Sequence, residues 1–360
     1  MKPIFLALFA VVGGLAFTLT RPVRLPFQEF HGMADASAME LLDEHWLVVA
    51  NDEDNWLRIY HREQLEAPVR SLDLSPFLRL ENKGKKRVSE EVDLEGSARF
   101  GDLIFWISSH GRNAAGERAA SRQRLLATKV GTIAGVPWVH PVGTHYTDLV
   151  DDLVAEPRFA QLGLSEAAHR APKSPGGLNI EALAFTPSGT LLIGFRSPVP
   201  EGEALIIPVL NPMELIRGVK PQFGDPLQLA LGGQGIRGMT QAGKGYWIVA
   251  GSTDGNGISQ LYHWAGGTDA PRLCSGVNLK GFNAEGIALA HGSTGDVLVL
   301  ASDDGTRSVE GRPAKRLKNP SQQTFRIATI PAPIVPVSSD AEPTSSTLTP
   351  PLAQARSPQP

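Results

Sequence analysis

The sequence has a single cysteine, Cys274. An intrachain disulfide and a cysteine zinc cluster are therefore both excluded, and Cys274 is expected to be a small buried apolar residue. Charge of one sign is also lacking: 34 Lys and Arg against 37 Asp and Glu leave a formal charge of -3. There is thus no electrostatic footprint for nucleic acid, and the short run Lys83, Lys85, Lys86, Arg87 reads as a solvated loop. No Gly-x-Ser-x-Gly elbow is present, so Ser108 and Ser109 beside His110 give only a weak nucleophile signal. GGQGIRG (232–238) lacks the Lys-Ser/Thr of a phosphate loop, and the acidic strings lack the twelve-residue spacing of an EF-hand.

Turn formers, by contrast, are plentiful: 37 Gly and 28 Pro in 360 residues, without collagen periodicity. With 42 % hydrophobic residues, the chain can bury the core of one large all-β domain or two average ones. Lys2 followed by the uncharged, mostly apolar stretch Ile4 to Leu19 reads as a signal peptide over residues 1–20, with an uncleaved N-terminal membrane anchor as the alternative. Either places the folded part outside the cytoplasm, periplasmic or extracellular. Residues 331–360, rich in Pro, Ser, Thr and Ala, cannot bury enough apolar surface to order themselves and read as a disordered tail. Residues 21–330 remain as the folded domain.

A repeat organises that domain. It recurs at 36–54, 94–111, 180–198, 236–255 and 284–305. Each unit has a short partly apolar stretch and then a polar turn (Asp43-Glu44, Gly101-Asp102, Ser188-Gly189, Gly243-Lys244, Thr294-Gly295). An apolar run and a small or polar cluster follow. Two apolar runs around a tight turn predict a hairpin. Third strands are predicted at 56–60, 124–129, 204–210, 260–264 and 324–330, and fourth strands at 69–74, 226–231 and 272–279. Four antiparallel strands per unit, repeated around an axis, make a β-propeller of five blades. The last unit lacks an outer strand, which VRLPFQEF (23–30) can supply, closing the ring and removing open edges. The long interval between Glu95 and Glu181 contains 146–164, whose Leu149, Val150, Leu153 and Val154 fit a helical face. It reads as a helix inserted between blades, with a degenerate sixth blade as the competing reading. A second short helix is predicted at 211–218, with Asn211 as cap and Pro212 in the first turn.

Ser37, Glu95, Glu181, Arg237 and Glu285 occupy one repeat position, and Asp52, His110, Arg196, Ser252 and Asp303 a second. Circular symmetry would gather them at one mouth of a central channel. Glu95, Glu181, Glu285, Asp52 and Asp303 then form an oxygen-rich set suited to a divalent cation, calcium first. The other reading is that the repeated glutamates are struts between blades and that Asp54 and Asp304 stabilise turns. His110 is a candidate acid or base and Arg196 a candidate anchor for an anionic ligand. Arg112, Arg118, Arg122 and Arg124 form a further basic stretch.

FWISSHGRN (105–113), GGLNIEALAFTPSGTLLIGFRSP (176–198), ALIIPVLNP (204–212), FGDPLQLALGGQGIR (223–237) and ASDDG (301–305) together resemble the bacterial domain-of-unknown-function family numbered thirty-six-sixteen, over about Asp35 to Ile330. The resemblance implies an exported, propeller-like protein and no particular activity. Ala182 stands where the family pattern has the Gly of a Glu-Gly pair, and Gly238 where it has an acidic residue. The Glu-Gly repeat is more distantly similar to esterase-like phytase and gluconolactonase-type propellers, which implies metal-dependent hydrolysis at the level of fold analogy. Two functions are thus expected from the sequence. One is a metal-dependent hydrolase of a small anionic ester, phosphoester or lactone. The other is a non-catalytic module that presents the channel mouth to a ligand or partner protein. A monomer is expected in either case.

Overall fold

The apolar runs of the repeat become the second strand of each unit, and the turns before them become hairpins. The computed structural model describes residues 25–64, 67–80, 82–83, 88–293 and 295–334. The leader at 1–20, Lys85, Lys86, Arg87, Thr294 and the tail beyond Ile334 lie outside the described residues.

Five four-stranded antiparallel sheets form a five-bladed β-propeller. Blade 1 holds Ala36–Leu41, Trp46–Asn51, Trp56–His61 and Arg70–Asp73, from the axis outward. Blade 2 holds Leu94–Phe100, Leu103–Ser108, Leu125–Ile133 and Val136–Tyr146. Blade 3 holds Asn179–Phe185, Leu191–Ser197, Ala204–Val209 and Leu227–Leu229. Blade 4 holds Gly235–Ala242, Gly245–Gly251, Gln260–Trp264 and Arg272–Leu273. Blade 5 holds Ala284–Gly292, Gly295–Ser302, Thr324–Pro331 and, as its outer strand, the N-terminal Phe27–His31. That closure runs in register from Phe27 opposite Ala328 to His31 opposite Thr324.

The long interval contains no sixth blade. Leu149–Ala155 is a helix that buries Leu149, Val150 and Leu153 against blades 2 and 3. Val154, expected on the same face, points outward and is exposed. The second helix is shorter than predicted, Pro212–Leu215, and Asn211 does not cap it; its side chain instead bonds Glu214, Lys220 and Gln222. The fourth strand of blade 2 was not anticipated, because Pro137 and Pro141 punctuate it. That of blade 4 shrinks to two residues. Cys274 is half-buried.

Alternation explains why the second strands are apolar throughout. In Leu191–Ser197, Leu192 enters the core between blades 3 and 4, while Ile193 enters the core between blades 2 and 3. Each pair of neighbouring blades shares one such apolar cluster, and the last joins blade 5 back to blade 1 through Met39, Val49, Val299 and Phe325. A fully buried Val, Leu or Ile contributes about 1.5–3 kcal/mol of transfer free energy.

At the axis the constraint is space. The residue after each repeat glutamate or its equivalent is Ala38, Gly96, Ala182, Gly238 or Gly286. A Cβ on Gly96 would sit 3.1 Å from the Ala182 Cα, and one on Gly238 only 2.1 Å from the Glu285 carbonyl oxygen. Small side chains let the inner strands converge. The void left among them is about 10 Å³, about enough for one water. The two mouths are therefore separate compartments.

Candidate metal centre

The site residues owe their direction to a repeated irregularity. Each inner ladder skips one residue: Ser37 between Ala36 and Ala38, Glu95 between Leu94 and Gly96, and Glu181 between Ile180 and Ala182. Arg237 and Glu285 are skipped in the same way. A bulge leaves its extra residue unpaired and re-aims the side chain. The five bulged residues all lie beside the axial void or bond to residues that do.

They then divide into two groups. Arg237 bridges Glu181, with Nε 2.5 Å from Oε2, and Glu285. The contact with Glu181 meets the distance but not the alignment of a hydrogen bond, so it acts as an ion pair. Arg196 donates to the other Glu181 oxygen at 2.6 Å and to the Ser252 carbonyl at 3.1 Å. Asn179 and Asn283, each two residues before the glutamate of its blade, donate to Glu181 at 2.7 Å and Glu285 at 3.2 Å. Ser37 donates 2.6 Å to the Leu94 carbonyl of the next blade. Glu181 and Glu285 are thus placed on arginines, and Arg196 is buried and committed to Glu181.

Glu95 is placed differently. It is 9 % exposed and makes no hydrogen bond or ion pair among the described residues. Its carboxylate shares a volume with Asp52 and Asp93, one oxygen from each lying within 4.8 Å of the others. Asp52 is partly buried, but its Oδ1 is cut off from solvent and has no partner. Burial pushes both Glu95 and Asp52 well above the usual carboxylate range, and Glu181, Asp93, Asp303 and Asp35 add repulsion. Asp93 is raised by burial too, though Arg122 opposes it at 2.9 Å.

Local turns fix these positions. Asn51 accepts from the Glu53 amide, and Asp54 takes Arg58 at 2.6 Å, which leaves Asp52 free. Asn55 accepts from the Val92 amide at 2.9 Å and so ties the approach to Asp93 onto blade 1. Asp93 itself has a left-handed backbone, φ 61°. Asp304 is clamped by Arg326 at 2.7 and 2.5 Å. Asp54 and Asp304 are therefore each engaged by an arginine.

Asp303 lies beside Asp35. It accepts from the Gly305 amide at 2.9 Å and from Asn283 at 3.1 Å. Asp35, Asp52 and Glu53 form a second group of converging oxygens, flanked by Lys315 at 2.5 Å from Glu53 and 3.8 Å from Asp35. Gly305 is needed for this approach, because a Cβ there would overlap the Asp35 carboxylate. A cavity of about 360 Å³ opens next to Asp303, lined also by Arg307 and Arg326.

His110 is buried with φ 53°. Its Nδ1 lies 2.8 Å from the Ser108 carbonyl, which places the proton there, and Nε2 has no partner. Burial lowers its pKa to about 4. None of its hydrogen bonds reaches the carboxylates. The basic stretch is dispersed: Arg112 binds the Ala168 carbonyl, Arg118 pairs with Asp151, and Arg122 holds Glu91 and Asp93.

Asp35 and Asp93 were missed in the sequence. A signal existed for both. The position two residues before the bulge reads Asp35, Asp93, Asn179, Gly235 and Asn283 through the five units.

Residues 35–134 and 142–296 match the model of the family described as protein of unknown function (DUF3616). The chain belongs to this family. No curated protein matches this DUF3616 member. Among solved structures it is similar to a putative oxidoreductase (glucose dehydrogenase) from Thermus thermophilus, at 13 % identity over 85 % of this chain and 100 % of that one, TM-score 0.41. It is similar to the glutaminyl cyclase of Myxococcus xanthus at 12 % identity over 84 % and 94 % of the two chains, TM-score 0.40. The Trypanosoma rangeli sialidase shares 10 % identity over 76 % of this chain and 44 % of that one, TM-score 0.40.

Proposed function

We propose that the acidic mouth binds a divalent cation, calcium by its all-oxygen donors, and that this exported propeller is a metal-dependent hydrolase of a small anionic ester, phosphoester or lactone. One observation carries the reading: the Asp52 Oδ1 is cut off from solvent without a partner, beside Asp93 and Glu95, and Glu95 makes no hydrogen bond or ion pair among the described residues. Buried carboxylates left unpaired are costly, and a cation satisfies several at once. Asp52, Asp93 and Glu95 would hold it, with Asp303 and Asp35 adjoining. Glu181 and Glu285, spent on Arg237, would hold the blades in place. A bound cation would polarise the scissile group and acidify a coordinated water.

The chain's own groups supply the rest. Arg122 and Lys315 retain exposed surface at the mouth and would meet an anionic substrate, a role for which Arg196 is too deeply buried. His110, neutral above about pH 4, is as deeply buried as Arg196 and its Nε2 is cut off from solvent, so the proton-transfer role falls to the coordinated water and the acidic residues around it. The ion-paired state of Glu181 and Glu285 favours a second reading, a non-catalytic module whose carboxylates are mainly struts.

The test is thermal unfolding in EDTA and then with calcium, magnesium or manganese, followed by a phosphoester and lactone screen. Under the cation reading the midpoint rises with ion concentration and hydrolysis appears only with the ion. Stabilisation without turnover would select the binding module. No response to any divalent ion would remove the metal centre.

A further inference from the structure

At the opposite mouth the inner strands diverge around a cavity of about 560 Å³, to which all five blades contribute. That volume suits a small organic ligand. The packed axis separates it from the carboxylates.

Arg99 is its fixed polar feature. Nε donates to the Gly101 carbonyl at 3.0 Å, and Nη1 to the Leu41 and Leu42 carbonyls at 2.6 and 2.8 Å. These bonds set the guanidinium plane. Nη2 has no protein hydrogen bond among the described residues. The acids nearby do not claim it. Asp43 accepts from the His45 and Trp46 amides, and Glu44 lies 3.2 Å from His45. Burial raises Glu40 to about 8, and its side chain bonds Ser97, not Arg99. Leu183, Met239 and Leu289 supply hydrocarbon on the same wall.

We propose that this mouth binds a small monocarboxylate with an apolar body, its carboxylate on Arg99 and its chain against Leu183, Met239 and Leu289. A guanidinium held on one edge offers its free edge to a carboxylate in a geometry that matches. An uncharged ligand would leave that donor unanswered.

Isothermal titration of the folded protein with octanoate, in EDTA so that the acidic mouth plays no part, tests this. Saturable binding at one site per chain is expected, roughly tenfold or more weaker for octanamide and for Arg99→Met. Arg99 also ties blade 2 to blade 1, so a second variant is included. Thr240→Trp fills the cavity from a partly exposed wall position and leaves Arg99 intact. It should abolish binding with little change in unfolding midpoint. The proposal is overturned by any of three results: no saturable heat with the unaltered chain, equal binding of octanoate and octanamide, or unchanged binding to Thr240→Trp.

Discussion

Arg237 sets its Nε 2.5 Å from Glu181 in the neighbouring blade. The repeat position that carries glutamate in three blades therefore carries its own counter-ion in a fourth. Replacing Arg237 with Met removes that cation while Glu181 and Glu285 stay buried. Breaking one side of a buried ion network costs about 3–5 kcal/mol. Urea unfolding should show a stability lowered by that amount, and Glu181→Gln combined with Arg237→Met should recover part of it.

Asp52 is the test of the metal centre, because it belongs to both carboxylate groups and its Oδ1 has no partner. Asp52→Asn should abolish the rise in unfolding midpoint that calcium gives the unaltered protein. At an ion concentration of 100 times its dissociation constant that stabilisation is about 2.7 kcal/mol. Without calcium the variant should be at least as stable as the parent, since a repelling charge has gone. A calcium response that survives the substitution would remove Asp52 from the site.

The pH dependence has a definite sign. Asp35 and Glu40 are each raised to about 8, chiefly by burial. Between their unfolded values and pH 8 the folded state holds more protons than the unfolded one, so stability falls as pH rises. His110, lowered to about 4, acts oppositely between pH 4 and its ordinary 6.5. In EDTA the unfolding midpoint should therefore fall from pH 6.5 to 8, and Glu40→Gln should flatten the fall. Calorimetry across that range measures it.

Gly238 follows the bulged Arg237 on the inner strand of blade 4. A Cβ there would lie 2.1 Å from the Glu285 carbonyl oxygen. Gly238→Asp should cost about 3 kcal/mol through overpacking. Soluble yield and the chemical denaturation midpoint should both drop. A wild-type midpoint would show that the axis has slack.

Ring closure gives a further test. Removing residues up to His31 leaves Thr324–Pro331 as an open edge in blade 5. Open apolar edges template pairing with other chains. The truncated protein should form oligomers or aggregates on size-exclusion chromatography, whereas the full chain should not.

The propeller was legible in the sequence because its determinants are local and repeated. Tight turns between apolar runs specify hairpins, and recurrence around an axis specifies the ring. Even closure by an N-terminal strand, seen as Phe27–His31, followed from one unit lacking a strand. The inserted helix also showed in its periodicity, with Leu149, Val150 and Leu153 inward. The site was legible only in part. Symmetry says which positions face the axis, and Ser37, Glu95, Glu181, Arg237 and Glu285 do share one bulge. It does not say how unlike residues at like positions pair. Ion pairing depends on separations of a few ångströms across blades. Only the tertiary structure could send Glu181 and Glu285 to Arg237, leave Glu95 to Asp52 and Asp93, and set Asp35 of the first unit against Asp303 of the last.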